Sequence, residues 1–154
     1  MRVSVAVPWP RTVVHDTRRE GARLGIIVAT ATWLWLVLID AWLGRPLQTF
    51  DALGGVAVFT AVHYLLNIVY GIVLLSAVHG AERAPSLMLA LVFGSLLFEV
   101  AMAMLTVILA NLGLGSAAWV GVFGGSLLAT ALAGLLLARS HPLVEYLHRA
   151  EAES

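Results

Sequence analysis

The sequence contains no cysteine and little charge. Without cysteine, the chain cannot form disulfides, thiolate metal sites, iron–sulfur clusters or a CxxC redox motif. Charged residues make up 12% of the chain and hydrophobic residues 60%, whereas soluble domains have about 25% charged residues. So few charges cannot cover a globular surface in water, and nine basic against nine acidic residues leave no basic field for nucleic acid. The composition predicts an integral membrane protein and excludes an ordinary soluble enzyme.

Proline is missing from the long apolar runs of the chain. Four such runs cover about residues 24–43, 53–78, 87–110 and 117–138, and each has the roughly 20 residues that a membrane-spanning helix needs. All five prolines lie outside them, as expected because proline breaks helices. The connections are short, so consecutive helices should be antiparallel neighbours. The sequence therefore predicts an all-α, up-down-up-down four-helix transmembrane bundle, with residues 1–154 forming one domain.

The arginines predict the orientation of the bundle. Eight of the nine lie on one side of the predicted membrane, and only Arg45 lies on the other. The positive-inside rule then places the N-terminal segment 1–23 and the tail 139–154 in the cytoplasm, as in a multi-pass protein of the cytoplasmic membrane. In the tail, Leu143 and Leu147 are one helical turn apart, which favours a short amphipathic helix on the membrane surface.

Three ionisable residues enter the apolar runs: Asp40, His63 and Glu99. At about 1.5 Å per residue, His63 and Glu99 both lie near the midplane of the membrane, on consecutive helices. Such groups are costly in hydrocarbon and often mark functional sites. We therefore expect a hydrogen bond or ion pair between His63 and Glu99. Asp40 is close to the end of its helix, so we expect it to reach water and to pair with Arg45.

Each deep ionisable residue belongs to a polar stripe at helical spacing. The stripes comprise Thr60, His63, Asn67 and Tyr70; then Ser95, Glu99, Met102 and Thr106; and, in the last run, Ser126, Thr130 and Gly134. These faces predict a polar seam inside the bundle that binds a proton or ligand through His63, Glu99, Asn67 and Tyr70, with Asp40, Ser95 and Thr106 in secondary positions. The alternative is that the stripes only hold helices together, at about 0.6 kcal/mol per hydrogen bond.

The last run also has small residues every four positions, at Gly121, Gly125, Ala129 and Ala133. Small residues at this spacing let helix backbones approach closely. This stripe predicts either close packing within the chain or a face for a dimer or another partner.

These features leave three functions open. The first is a non-catalytic subunit or docking factor of a membrane complex, in contact with the bilayer and with a membrane protein or a second copy of itself. The second is a homodimeric proton-coupled carrier of small molecules or ions, in which Glu99 and His63 exchange a proton. The third is a redox subunit, with His63 and Tyr70 binding a quinone carbonyl or His63 sharing a haem across a dimer. We predict no metal or cofactor, and an enzyme is the less favoured class.

Overall fold

The computed structural model of the protein describes residues 13–81, 84 and 86–140. Its long α-helices are α1 (Val13–Trp42), α3 (Val56–Ala81), α4 (Ser86–Leu109) and α5 (Gly124–Ser140), and a short helix, α2 (Gln48–Ala52), connects α1 to α3. Two segments with π-helical hydrogen bonding, Ala110–Leu114 and Ala118–Phe123, connect α4 to α5, and the first is broken at Gly113, whose φ is 111°. The predicted all-α four-helix architecture is confirmed.

Four helical segments are long and apolar enough to cross a membrane, namely Thr17–Trp42, Val56–Ala81, Ser86–Leu114 and Ala118–Ser140. The last three begin within about one turn of the boundaries expected from the sequence. The first begins earlier, because the arginine-containing segment before residue 24 continues α1 back to Val13. The predicted amphipathic helix of the tail lies outside the described residues.

Helix α1 is the central element of the bundle. Its residues Leu24 and Val28 form the main apolar core together with Leu74, Leu75 and Val78 of α3 and Ala133 and Leu137 of α5. In the most apolar part of α1, 44% of the residues are buried inside the protein, against 6% in the segment that contains α4. Helix α4 is therefore the peripheral element, with most of its surface uncovered by the rest of the described chain.

The connection between α1 and α3 folds back against the helices. Phe50 of α2 is completely buried and makes edge-to-face contacts with Trp33 of α1 at 5.5 Å and with Phe59 of α3 at 5.1 Å between ring centroids. Three glycines with positive φ, together with Leu47 at φ 65°, allow the tight turns on either side of α2. We call the end of the bundle where α2 lies the loop end.

Candidate functional site

Glycines bring α1 and α3 close together in the middle of the bundle. A Cβ atom built on Gly25 of α1 would lie 2.7 Å from the Cα of Ile68 in α3, and one built on Gly21 would lie 2.6 Å from the Cα of Ile72. On α3, a Cβ atom on Gly71 would lie 2.8 Å from the backbone nitrogen of Gly25. The two backbones are thus in direct contact, as in other membrane helices that pair through glycines four residues apart.

The contact between α1 and α3 places His63 against polar atoms of α1. Its Nε2 atom lies 2.9 Å from the hydroxyl oxygen of Thr32 and 3.2 Å from the carbonyl oxygen of Ala29. On its own helix, the side-chain amide nitrogen of Asn67 lies 3.4 Å from His63 Nδ1 and donates to the His63 carbonyl oxygen at 2.8 Å. We call His63, Thr32, Asn67 and the Ala29 carbonyl the His63 cluster.

The partners of His63 fix its tautomer. The Ala29 carbonyl can only accept a hydrogen bond, so Nε2 carries a proton. The Thr32 hydroxyl donates to the carbonyl oxygen of Val28 at 2.9 Å, which leaves its lone pairs free to accept from Nε2. Nδ1 faces the NH2 group of Asn67 and therefore acts as an acceptor. This arrangement fits a neutral imidazole that already uses both of its nitrogens.

Glu99 has its hydrogen-bond partners on α5. The Thr130 hydroxyl donates to Glu99 Oε1 at 2.5 Å, and the Ser126 hydroxyl lies 2.8 Å from Oε2. Ser126 also lies 2.8 Å from the carbonyl oxygen of Phe123, to which it can donate. Glu99 is half-buried and Ser126 is buried. We call Glu99, Ser126, Thr130 and the Phe123 carbonyl the Glu99 cluster.

Tyr70 and Ser95 border the Glu99 cluster. The Tyr70 ring stacks on Phe98 of α4 with 6.0 Å between ring centroids, and its hydroxyl group lies close to the side chains of Ser95 and Glu99. The Ser95 hydroxyl donates to the Leu91 carbonyl oxygen at 2.9 Å. The structure thus brings Tyr70, Ser95 and Glu99 together at the contact between α3 and α4.

The pairing of His63 with Glu99 expected from the sequence is not formed among the described residues. His63 bonds to α1 and Glu99 bonds to α5, so the single predicted seam is instead two separate clusters. The two side chains point to different neighbouring helices. Asn67 belongs to the His63 cluster and Tyr70 borders the Glu99 cluster. The polar stripe of α3 is therefore divided between the two clusters.

Asp40 differs from its prediction. It is 2% exposed and does not reach water. Its carboxylate accepts two hydrogen bonds from Thr49 in α2, one from the backbone N–H at 2.8 Å and one from the hydroxyl at 2.6 Å. Arg45 contacts it through the backbone alone, with its N–H donating to the Asp40 carbonyl oxygen at 2.9 Å. Asp40 thus binds the first turn of α2, where the helix dipole favours a negative charge.

Thr106, the remaining secondary position, is completely buried. Its hydroxyl donates to the Met102 carbonyl oxygen of the preceding turn at 2.8 Å. This bond satisfies the hydroxyl within α4 and gives Thr106 a structural role in the described fold.

The small-residue stripe of the last run packs inside the chain. A Cβ atom on Gly121 would lie 3.4 Å from the Leu36 side chain of α1, and one on Gly125 would lie 3.4 Å from Trp35. The indole N–H of Trp35 donates to the Val120 carbonyl oxygen at 3.0 Å. Further along α5, Ala133 is in the main core and Ala129 packs against it. Of the two uses predicted for this stripe, the structure thus provides close packing on α1.

The contribution of α1 to the site was not predicted from the sequence. Thr32 and Gly25 were not singled out, although two signals were present. The first is the four-residue spacing of Gly21 and Gly25, and the second is the pair of hydroxyls at Thr30 and Thr32 in the middle of an apolar helix. Thr30 also contacts α3, with its hydroxyl oxygen 2.9 Å from that of Tyr64.

Within the described part of the chain, no group of three or more His, Asp or Glu side chains is placed to hold a metal ion. A quinone or haem bound through His63 would have to displace Thr32 or Asn67, because these residues already occupy both ring nitrogens. Comparison of the chain with protein-family models, with curated proteins and with solved structures gives no significant match.

Proposed function

We propose that this protein is a non-catalytic subunit of a membrane complex that docks through α4 onto a helix of another membrane protein. The observation that carries the proposal is the uneven burial of the four spans. The segment containing α4 has 6% of its most apolar part buried, against 44% for α1. Because the rest of the described chain covers so little of α4, this helix has the most surface available to a partner.

The polar groups next to α4 support a protein partner over lipid alone. Glu99 is half-buried, and Tyr70 remains 38% exposed although it lies deep in its span. Hydrocarbon cannot form hydrogen bonds with such groups, whereas a neighbouring helix can. A partner that covers this side of α4 would remove both groups from contact with lipid.

The two other functions expected from the sequence receive less support. A carrier that passes a proton between His63 and Glu99 needs the two groups in contact, and they lie in separate clusters. A redox subunit needs a free ring nitrogen on His63, and both nitrogens already have partners. The hydrogen bonds of His63 instead join α3 to α1.

Site-specific photocrosslinking in the native membrane tests the proposal. A photoreactive amino acid replaces Leu96 of α4, which is 61% exposed and lies one turn before Glu99. The matched control is Leu65 of α3, which is 62% exposed and lies at a similar distance from the start of its helix. We expect position 96, but not position 65, to give a discrete adduct with a different membrane polypeptide, identified by mass spectrometry.

Two results would overturn the docking proposal. Adducts with lipid only at position 96 would show that the bilayer covers α4. An adduct with a second copy of this chain would show self-association in place of a subunit role.

A further inference from the structure

We propose that a groove between α1 and α5 binds a phospholipid whose headgroup carries a primary ammonium group, as in phosphatidylethanolamine. The groove lies at the end of the bundle opposite the loop end, and in the described chain its lining comes from α1, α3 and α5. The proposal therefore goes beyond the docking role of α4 and does not depend on whether α4 has a partner.

The inner part of the groove is apolar. Its base is formed by Leu24, Leu75 and Leu137 of the main core, and its sides are Ile27 of α1, which is 50% exposed, and the half-buried Leu136 of α5. The groove has a volume of about 280 Å³, close to the lower end of the range for ligand pockets, roughly 300 Å³. This size and this lining fit a segment of an acyl chain.

Three exposed polar residues line the other end of the groove, namely Glu20 and Arg23 of α1 and Ser140 of α5. We call them the polar rim. Glu20 and Arg23 are three residues apart and therefore lie on the same side of α1. The apolar segments that could cross a membrane begin at Thr17 in α1 and end at Ser140 in α5. The polar rim thus lies at the level of the lipid headgroups, and the apolar part lies at the level of the acyl chains.

The polar rim determines which lipid the groove prefers. An acyl chain gains little when it leaves the bilayer for the groove, because lipid tails are as apolar as leucine side chains. Selection of one lipid over another must therefore come from contacts with the headgroup.

The charges of the polar rim match a headgroup that has both a phosphate and an N–H donor. The Arg23 guanidinium can donate to phosphate oxygens, a pairing for which its planar set of N–H groups is well suited. The Glu20 carboxylate can accept hydrogen bonds from an ammonium group. The Ser140 hydroxyl donates to the Leu136 carbonyl oxygen at 3.0 Å, and its own oxygen can still accept from the ammonium group.

Two other common headgroups match the polar rim less well. Phosphatidylcholine has a phosphate, but its three N-methyl groups leave no N–H for Glu20 or Ser140. Phosphatidylglycerol has a phosphate and no cation, so its negative charge would lie beside the Glu20 carboxylate. The other arginines at this end of the described chain, Arg18, Arg19 and Arg139, do not line the groove.

Native mass spectrometry of the full chain tests the proposal. The protein is purified in a mild detergent and receives one lipid at a time, either phosphatidylethanolamine, phosphatidylcholine or phosphatidylglycerol, all with the same acyl chains. The measured quantity is the apparent Kd of the first bound lipid. We expect phosphatidylethanolamine to bind about three- to fivefold more tightly than the other two lipids, as is typical of exposed charge pairs.

Variants of the polar rim test the headgroup contacts. Glu20→Gln should abolish the preference for phosphatidylethanolamine over phosphatidylcholine, because it removes the charge that attracts the ammonium group. Arg23→Gln should weaken the binding of all three lipids by about threefold or more, because each lipid has a phosphate. The control variant Arg18→Gln, at an exposed position outside the lining, should change neither property.

A second pair of variants tests the groove itself. Ile27→Trp should fill the groove with an indole ring and weaken the binding of all three lipids. Ile26→Trp is the matched control, because Ile26 is the preceding residue, is 44% exposed and does not line the groove. Both positions are exposed, so both variants should fold.

Three results would overturn the headgroup assignment: equal affinities for the three lipids, tighter binding of phosphatidylglycerol than of phosphatidylethanolamine, or an unchanged preference in Glu20→Gln. Equal lipid binding by Ile27→Trp and Ile26→Trp would overturn the assignment of the lipid to this groove.

Discussion

The close contact between α1 and α3 leads to a sharp prediction for Gly25→Ala. A Cβ atom at this position would lie 2.7 Å from both the Cα of Ile68 and the backbone carbonyl carbon of Asn67. Ordinary contacts of this kind begin near 3.4 Å, and the carbonyl oxygen of Asn67 lies closer still, so the two backbones must separate by more than about 0.7 Å. None of these atoms is the end of a flexible side chain, and the strain cannot be relieved by a rotamer change.

The cost follows from three terms. Overpacking of this kind costs about 1–3 kcal/mol. Separation of the helices also stretches the 2.9 Å contact between Thr32 and His63, worth about 0.6 kcal/mol. Alanine is favoured over glycine in a helix by about 1 kcal/mol, which offsets part of the loss. We expect Gly25→Ala to destabilise the protein by about 1–3 kcal/mol.

Gly94→Ala is the matched control. Gly94 lies inside α4, and a Cβ atom built on it meets nothing within 4 Å. This variant should be as stable as the original chain or more stable by up to about 1 kcal/mol. The two variants make the same chemical change in two spans, and their stabilities should differ by about 1–4 kcal/mol.

Reversible unfolding in bicelles, with sodium dodecyl sulfate as denaturant and tryptophan fluorescence as readout, measures the difference. Trp33 and Trp35 both lie in α1 and should report its separation from α3. Equal stability of Gly25→Ala and Gly94→Ala would refute the backbone contact between α1 and α3.

Three further variants test the loop end and the His63 cluster by the same unfolding assay. Asp40→Asn should cost about 1–3 kcal/mol, because the side-chain amide has one acceptor oxygen for the two buried donors of Thr49. The exposed Asp51→Asn should have little effect, and equal effects would contradict the burial of Asp40. Phe50→Ala should cost about 3–5 kcal/mol, whereas Phe93→Ala, at a side chain that is 64% exposed, should cost far less. Similar losses would argue against the packing of α2 on α1 and α3. His63→Leu should cost about 1 kcal/mol from lost hydrogen bonds. The cost should be the same at neutral and at mildly alkaline pH, because the cluster holds a neutral imidazole. A cost that changes across this pH range would disagree with that tautomer.

Helical periodicity predicts which residues share a face, but not which helix that face meets. The depths of His63 and Glu99 and the stripe containing Ser126 and Thr130 could all be read from the sequence. The rotation of each helix about its axis could not, because it depends on where the backbones touch. That contact is made by Gly25, whose lack of a side chain gives little signal in an apolar run.

The boundaries of the spans were predictable for a different reason. Apolar length and proline exclusion are properties of the chain alone, and they do not depend on packing. The short helix α2 was not expected, because it is stabilised by the buried Asp40 and Phe50, which come from contacts across the connection. The π-helical segment Ala118–Phe123 was also not expected, since its residues are as apolar as those of the neighbouring α-helices.

The π-helical segment Ala118–Phe123 determines the register of α5. A π-helical turn accommodates one more residue than an α-helical turn, and each residue of an α-helix advances the face by about 100°. Deletion of one residue here, with return to regular α-helix, would rotate the following helix by that angle relative to the preceding connection. Ser126 and Thr130 would then leave Glu99, and Gly125 would leave Trp35. One extra residue in this turn therefore sets both the contact of α5 with Glu99 and the packing of α5 on α1.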